Sequence, residues 1–268
     1  MTLVLLARHG LTAATGSALA GRAPGIPLDD RGRAQATALA TRLAEVRLDA
    51  IVSSPVERCM QTAQAVAAAQ QPSVLVQADE RLTEVGYGDW TGQPLRKLAR
   101  EPLWRTIQVQ PSAVTFPGAG GEALADAQRR AVAALRDWND RLGPNAVYLA
   151  CSHADVIKAV LADSLGLHLD LFQRIVIDPC SLSVIRYTPV RPFVERMNDT
   201  GGAVAALAKA ARQAAAHHGT ARQGAAPRET PRPGSSEADG SADSTDGAPD
   251  RAAALRRFDA PVGGGAGG

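Results

Sequence analysis

Three short apolar runs constrain this chain most, because polar residues close each one and helix-like periodicity follows. They are Leu3–Ala7, Asp49–Ser53 and Ala146–Ala150. Runs of this length that end in glycine, serine or a helix start read as buried strands. After the first, Asp29 or Asp30 can cap a helix on which Ala36, Leu39, Ala40, Leu43 and Val46 recur at helical spacing. After the second, the stretch SSPVERCMQTAQAVAAA puts Pro55 in a first helical turn and carries one apolar face through Ala63, Val66 and Ala67. After the third, CSHADVIKAVLADSLGL passes directly into another helix. Strand and helix in alternation predict a parallel sheet covered by crossover helices.

The intervening segments fill in around this frame. Val74–Val76 reads as a further strand, and LTEVGYGDWTG after it as a loop. A helical patch over Pro94–Arg105 carries Arg96, Lys97, Arg100 and Arg105, which read as a solvated face. FPGAGGEA is a turn-rich break before a helix over Glu122–Leu142. Arg174–Ile177 and Leu182–Tyr187 read as two more strands with a turn at Pro179, and Pro192–Met197 as an edge strand. His168 reads as structural or exposed. From residue 201 the composition shifts to alanine and then to Gly, Pro, Ser, Asp and Arg, with Leu255, Phe258 and Val262 too sparse for a core. The expectation is one folded domain over residues 1–200 and a disordered tail over 201–268, within which His217 and His218 are solvent-exposed rather than metal ligands.

Bulk properties exclude several classes. A formal net charge of +2 over 268 residues argues against a nucleic-acid binder, for which a basic face is expected. Cys59, Cys151 and Cys180 are an odd count without metal-ligand spacing, so they read as reduced thiols, with Cys59 and Cys151 as small apolar fillers near the core rather than nucleophiles. No segment approaches a membrane span, and the apolar N-terminus is too short for a signal peptide, so the expected location is cytoplasmic.

Each of the three main strands ends in similar equipment. The first ends in Arg8 and His9, followed by Gly10. The second ends in Ser53 and Ser54, with Arg58 near the start of the next helix, and the third in Ser152 and His153. In parallel α/β sheets ligands bind beyond the carboxyl ends of the strands, and helix N-termini there favour anions. If the three edges are neighbours, two guanidinium groups and two imidazoles converge. Such a cluster calls for a tetrahedral oxyanion, above all phosphate.

In order, LARHGLT (6–12), SSPVERCMQTA (53–63), LTEVGYGDWTG (82–92) and SHADVIK (152–158) resemble the histidine phosphatase superfamily, the phosphoglycerate mutase-like or "RHG" enzymes. The resemblance spans about residues 3–197 and implies a three-layer αβα sandwich with a mostly parallel sheet. It implies that His9 is the nucleophile, that Arg8, Arg58 and His153 bind the transferring phosphoryl group, and that Glu84 donates a proton. No metal or cofactor is implied. The chemistry agrees: nearby arginines keep His9 neutral with a lone pair for in-line attack, and fixed cations stabilise charge on the equatorial oxygens. An alkoxide leaves poorly, so an acid that protonates it matters. Thr12, Thr15 and Arg22, in the segment after the first motif, are the candidate substrate contacts. Thr15 stands where the family often has asparagine, and Ala123 follows Glu122 where the family's PGGES-like segment has serine.

GYGDWTG and the short stretch between Glu84 and Glu122 resemble the compact phosphatase branch, while DPCSLSVI and ERMND resemble an actinobacterial branch described as phosphomutases. The expected activity is hydrolysis of a small phosphorylated metabolite by a monomer or homodimer, with no nucleic-acid or membrane partner. The alternative is a phosphomutase. A catalytically silent phosphate-binding scaffold is disfavoured by the intact set of His9, Arg8, Arg58, Glu84 and His153.

Overall fold

The computed structural model describes residues 1–201, so the expected tail, with His217 and His218, lies outside the described residues. In chain order the strands are β1 (Thr2–Arg8), β2 (Ala50–Ser53), β3 (Val76–Ala78), β4 (Val147–Ser152), β5 (Leu182–Tyr187) and β6 (Pro192–Asp199). The α-helices are α1 (Asp30–Leu43), α2 (Glu57–Ala68), α3 (Leu95–Leu98), α4 (Pro102–Val109), α5 (Leu124–Leu142) and α6 (Ala154–Ser164). The sheet order is β3-β2-β4-β1-β5-β6. β3, β2, β4 and β1 are parallel to one another, whereas at one edge β5 pairs antiparallel with β1 and β6 antiparallel with β5.

The central strands β2, β4, β1 and most of β5 are buried on both faces, as their near-continuous apolar sequences require, while the edge strands β3 and β6 are partly exposed. On one face Leu3, Leu5 and Ala7 of β1 pack with Ala36, Leu39 and Leu43 of α1 and with Ala63 and Val66 of α2. On the other, Val4 and Leu6 pack with Ala131 and Leu135 of α5, Val156 and Val160 of α6, and Trp90, Trp104 and Phe116 from the β3–α5 connection. The result is the expected αβα sandwich. Asp29 is the residue that caps α1, accepting from the Gly32 amide at 2.7 Å. Gly32 must be glycine for a different reason: a Cβ there would lie 2.0 Å from the Leu11 carbonyl, where α1 presses on the loop after β1. That close approach fixes the loop carrying His9.

Some local expectations change. Arg174–Ile177 forms no strand: a 3-10 turn spans Leu169–Arg174 and irregular chain follows. Ile175 and Ile177 are buried and Val176 is 58% exposed, so the segment alternates like a strand without a ladder. The place beside β1 is occupied by β5. The Ile177 carbonyl instead accepts from Arg8 Nη1 at 2.7 Å. Pro55 stands before the N-cap of α2, Val56, and not inside the first turn. β3 begins at Val76, two residues later than expected, and leaves Leu75 exposed. The helical patch over 94–105 is split into α3 and α4, with Pro102 at the start of the second. Its Arg96, Lys97, Arg100 and Arg105 are exposed, as a solvated face should be. His168 is exposed and accepts from the Asp170 amide, and all three cysteines are buried and free.

Candidate active site

The order β2-β4-β1 makes the three equipped strand ends neighbours. Registers pairing Arg8 with Ser152, and Ser53 with Cys151, bring their polar ends to one level. His9 follows β1 directly, and its amide donates to the Ser152 carbonyl at 3.0 Å. Gly10 N–H donates to Thr62 Oγ1 on α2 at 3.1 Å, tying this loop to the helix that carries Arg58.

The hydrogen bonds of His9 select its tautomer. Nδ1 lies 2.7 Å from the Gly10 carbonyl, which can only accept, so Nδ1 holds the proton. Nε2 is therefore an acceptor with an in-plane lone pair, and Arg58 Nε donates to it at 3.1 Å. The same logic applies to His153. Arg58 Nη2 lies 3.1 Å from His153 Nδ1, which must accept, leaving Nε2–H to donate to Ser54 Oγ at 2.9 Å. The two imidazoles meet edge-on with centroids 5.2 Å apart. Burial, then the Arg58 and Arg8 guanidinium groups, hold the His9 pKa well below the ordinary histidine value. Burial, then Arg58 and His9, do the same to His153. Burial therefore acts ahead of the arginines in keeping His9 neutral.

Arg8 and Arg58, 2% and 1% exposed, are among the most deeply buried side chains of the chain. Arg58 Nη2 also donates to the Gly21 carbonyl at 2.8 Å, whereas Nη1 is buried with no hydrogen-bond partner among the described residues. A buried cationic donor of this kind is suited to an anionic ligand. Arg8, His9 and Arg58 line a cleft with Thr12, Ala14, Thr15, Ala18, Leu19, Ala20, Gly21, Glu84 and Tyr87. His153 lies behind its wall, fully buried, within reach of Arg58.

Glu84 comes from the loop after a 3-10 turn at Glu80–Leu82, which Ser152 Oγ ties to β4 by donating to the Leu82 carbonyl at 2.7 Å. Its Oε1 accepts from the Val85 amide at 3.0 Å, and Oε2 lies 3.7 Å from His153 Nδ1. Burial, with the Asp155 charge second, pushes its pKa up to about 7. A carboxyl poised there can give and take a proton near neutrality.

The remaining expected contacts divide. Thr12 is buried, its amide donating to Thr15 Oγ1 at 3.0 Å, and both threonines line the cleft. Arg22 does not line it: Nε donates to the Glu84 carbonyl at 2.7 Å and Nη2 to Glu122 Oε2 at 2.7 Å. Residues that sequence reasoning missed surround the set. Tyr87 O–H donates to Asp155 Oδ2 at 2.8 Å, and Lys158 Nζ lies 3.3 Å from Asp155 Oδ1. Asp155 follows His153 within the SHADVIK motif, where an acid in the first turn of a helix looks like ordinary dipole compensation. Arg130, on α5, donates from Nη2 to the Glu84 carbonyl at 3.0 Å, and its charged helix face gave no sequence signal.

A mostly parallel αβα sheet with a neutral imidazole, buried guanidinium groups and a protonatable carboxyl at its strand ends is an arrangement suited to phosphoryl transfer. The family model for the histidine phosphatase superfamily (branch 1) matches residues 4–200, and the chain belongs to that family. Phosphoserine phosphatase 1 of Hydrogenobacter thermophilus is 31% identical over 176 residues, covering 65% of this chain and 81% of the relative. A bifunctional protein of Mycobacterium tuberculosis is 33% identical over 208 residues, covering 75% of this chain but 54% of its own, so the chain spans about half that relative's length. The fold matches the crystal structure of a phosphoserine phosphatase from Entamoeba histolytica in complex with 3-phosphoglyceric acid. That match has a TM-score of 0.66 and 22% identity, and covers 74% of this chain and 98% of the other.

Proposed function

We propose that this chain is a phosphomonoesterase that hydrolyses small phosphorylated metabolites through a phosphohistidine on His9. The observation that carries this reading is the fixed tautomer: Nδ1–H is committed to the Gly10 carbonyl, and the Nε2 lone pair lies among the site's cations. In the first step Arg58 Nε turns from His9 Nε2 to a phosphoryl oxygen, and the freed Nε2 lone pair bonds to phosphorus as the ester P–O bond breaks. Glu84, as the acid, protonates the departing alkoxide. In the second step water attacks phosphorus, the Glu84 carboxylate takes its proton, and inorganic phosphate leaves with His9 regenerated. Arg8 and Arg58 hold the equatorial oxygens throughout, while His153, behind the cleft wall, bears on them by holding Arg58 through Nδ1. Thr12 and Thr15 bound the space for the rest of the substrate, while Arg22 steadies the acid loop. A relative named phosphoserine phosphatase 1 supports a small phosphorylated metabolite as substrate class.

A phosphomutase shares the first step and returns the phosphoryl group to an alcohol instead of water. A panel of phosphorylated metabolites, each assayed for inorganic phosphate and for isomerised ester, separates the two. Stoichiometric phosphate is the expected product; isomerised ester without phosphate release overturns hydrolysis.

The raised Glu84 pKa sets a sign for pH dependence. Burial disfavours the carboxylate, so the acid form persists to about 7 and is lost above it. For β-glycerol phosphate, kcat/KM is expected to fall as pH rises through about 7, roughly tenfold per unit well above it, because this parameter reports the free enzyme. p-Nitrophenyl phosphate, whose leaving group needs no proton, should lack that limb. A limb of equal size for both esters argues against Glu84 as the donor.

Residues 1–200 form the catalytic unit in this reading. A chain ending at residue 200 is expected to keep its melting temperature within about 2 °C and its kcat on p-nitrophenyl phosphate within about twofold. Loss of folding in the truncated chain moves the boundary.

A further inference from the structure

We propose that Glu122 is a positioning residue that fixes the Glu84 loop through Arg130, Arg22 and the Gly86 amide. The proposal rests on the reading of Glu84 as proton donor. Glu84 lies on a loop outside the sheet ladder, so the position of its carboxyl depends on the backbone beneath it. That backbone is clamped at one atom. The Glu84 carbonyl accepts from Arg22 Nε at 2.7 Å and from Arg130 Nη2 at 3.0 Å.

Glu122 organises both cations. Its Oε1 accepts from Arg130 Nε at 2.6 Å, and its Oε2 accepts from Arg22 Nη2 at 2.7 Å and Arg130 Nη2 at 3.0 Å. Oε2 also accepts from the Gly86 amide at 3.0 Å, and the Glu122 amide donates to the Gly86 carbonyl at 2.8 Å. On the other side of Glu84, Arg130 Nη1 donates to the Arg81 carbonyl at 2.6 Å. One carboxylate therefore holds the loop before, at and after Glu84. Although burial pushes the Glu122 pKa up, hydrogen bonds from Arg130 and Gly86 hold it below the ordinary glutamate value, so the clamp stays ionised. Its partners differ in setting: Arg130 is mostly covered, whereas Arg22 is 42% exposed at its side chain and joins the segment bordering the cleft to the acid loop.

The clamp bonds to the backbone of the acid loop and not to the Glu84 carboxyl, so its loss should act through the position of Glu84, most on esters whose leaving group must be protonated. Glu122→Gln removes the charge that pairs both guanidinium groups. Its kcat on β-glycerol phosphate is expected to fall about 10- to 100-fold, with KM nearly constant, while kcat on p-nitrophenyl phosphate falls less than about threefold. A folded Glu122→Gln chain that loses both activities equally, or neither, overturns the proposal. If that variant does not fold, Arg22→Lys is measured against the same criteria, since lysine cannot span the Glu84 carbonyl and Glu122 together. Glu84→Gln, run alongside, separates the two readings. If it fails to discriminate between the esters, the proton-donor reading fails. If it discriminates and the clamp variants do not, the clamp fails alone.

Discussion

His9→Ala is expected to reduce turnover of p-nitrophenyl phosphate by at least about 10³-fold, since removing the nucleophile removes the covalent path. The substitution also tests the tautomer argument. In the folded chain Nδ1–H is bound to the Gly10 carbonyl and Nε2 lies 3.1 Å from Arg58 Nε, so only Nε2 can attack. A neutral imidazole is available because burial and two guanidinium groups disfavour its protonation. Rapid quenching of the unaltered chain with labelled ester should trap an acid-labile phosphoenzyme that His9→Ala lacks. Retained turnover in the alanine variant sinks the phosphohistidine mechanism, whatever the substrate.

Glu84→Gln has the second largest expected effect, and it depends on the leaving group. With alkyl esters kcat should fall about 10²- to 10⁴-fold, the range ascribed to a general acid. With p-nitrophenyl phosphate the first step needs no donor, so a smaller loss is expected, set by activation of water in the second step. Glutamine keeps the Val85 amide contact at Oε1 but has no acidic proton to transfer. Equal losses on both esters remove the acid role and leave Glu84 as a structural member of the loop.

The two variants bear on different parts of the chain, and those parts differed in legibility. Arg8, His9, Arg58 and His153 could be assigned to strand ends and helix starts because each lies where an element with a local pattern begins or ends. An apolar run and a glycine announce the end of β1, and a helix start follows Ser54 and His153. Glu84 was singled out through the motif around it, as no local period marks a loop. Arg174–Ile177 misled for the opposite reason: burial of Ile175 and Ile177 copied the two-residue period of a strand, but the edge beside β1 was taken. Arg22 was open between a substrate contact and a surface role, and it stands against Glu122 and the Glu84 carbonyl. A long cationic side chain reaches many partners from one backbone position, and sequence does not choose among them.

By itself the sequence determined the class of fold, the family, and which residue types gather at three strand ends. These follow from short-range periodicity and from motifs a few residues long. Only the tertiary structure decided the strand order that makes those ends neighbours, the proton position on His9, the pKa of Glu84 and the clamp at Glu122. Each of these depends on contacts between segments far apart in the chain, and on how completely water is excluded from them. A protonation state is the balance of desolvation against neighbouring charge, and neither exists until the chain has closed around the site.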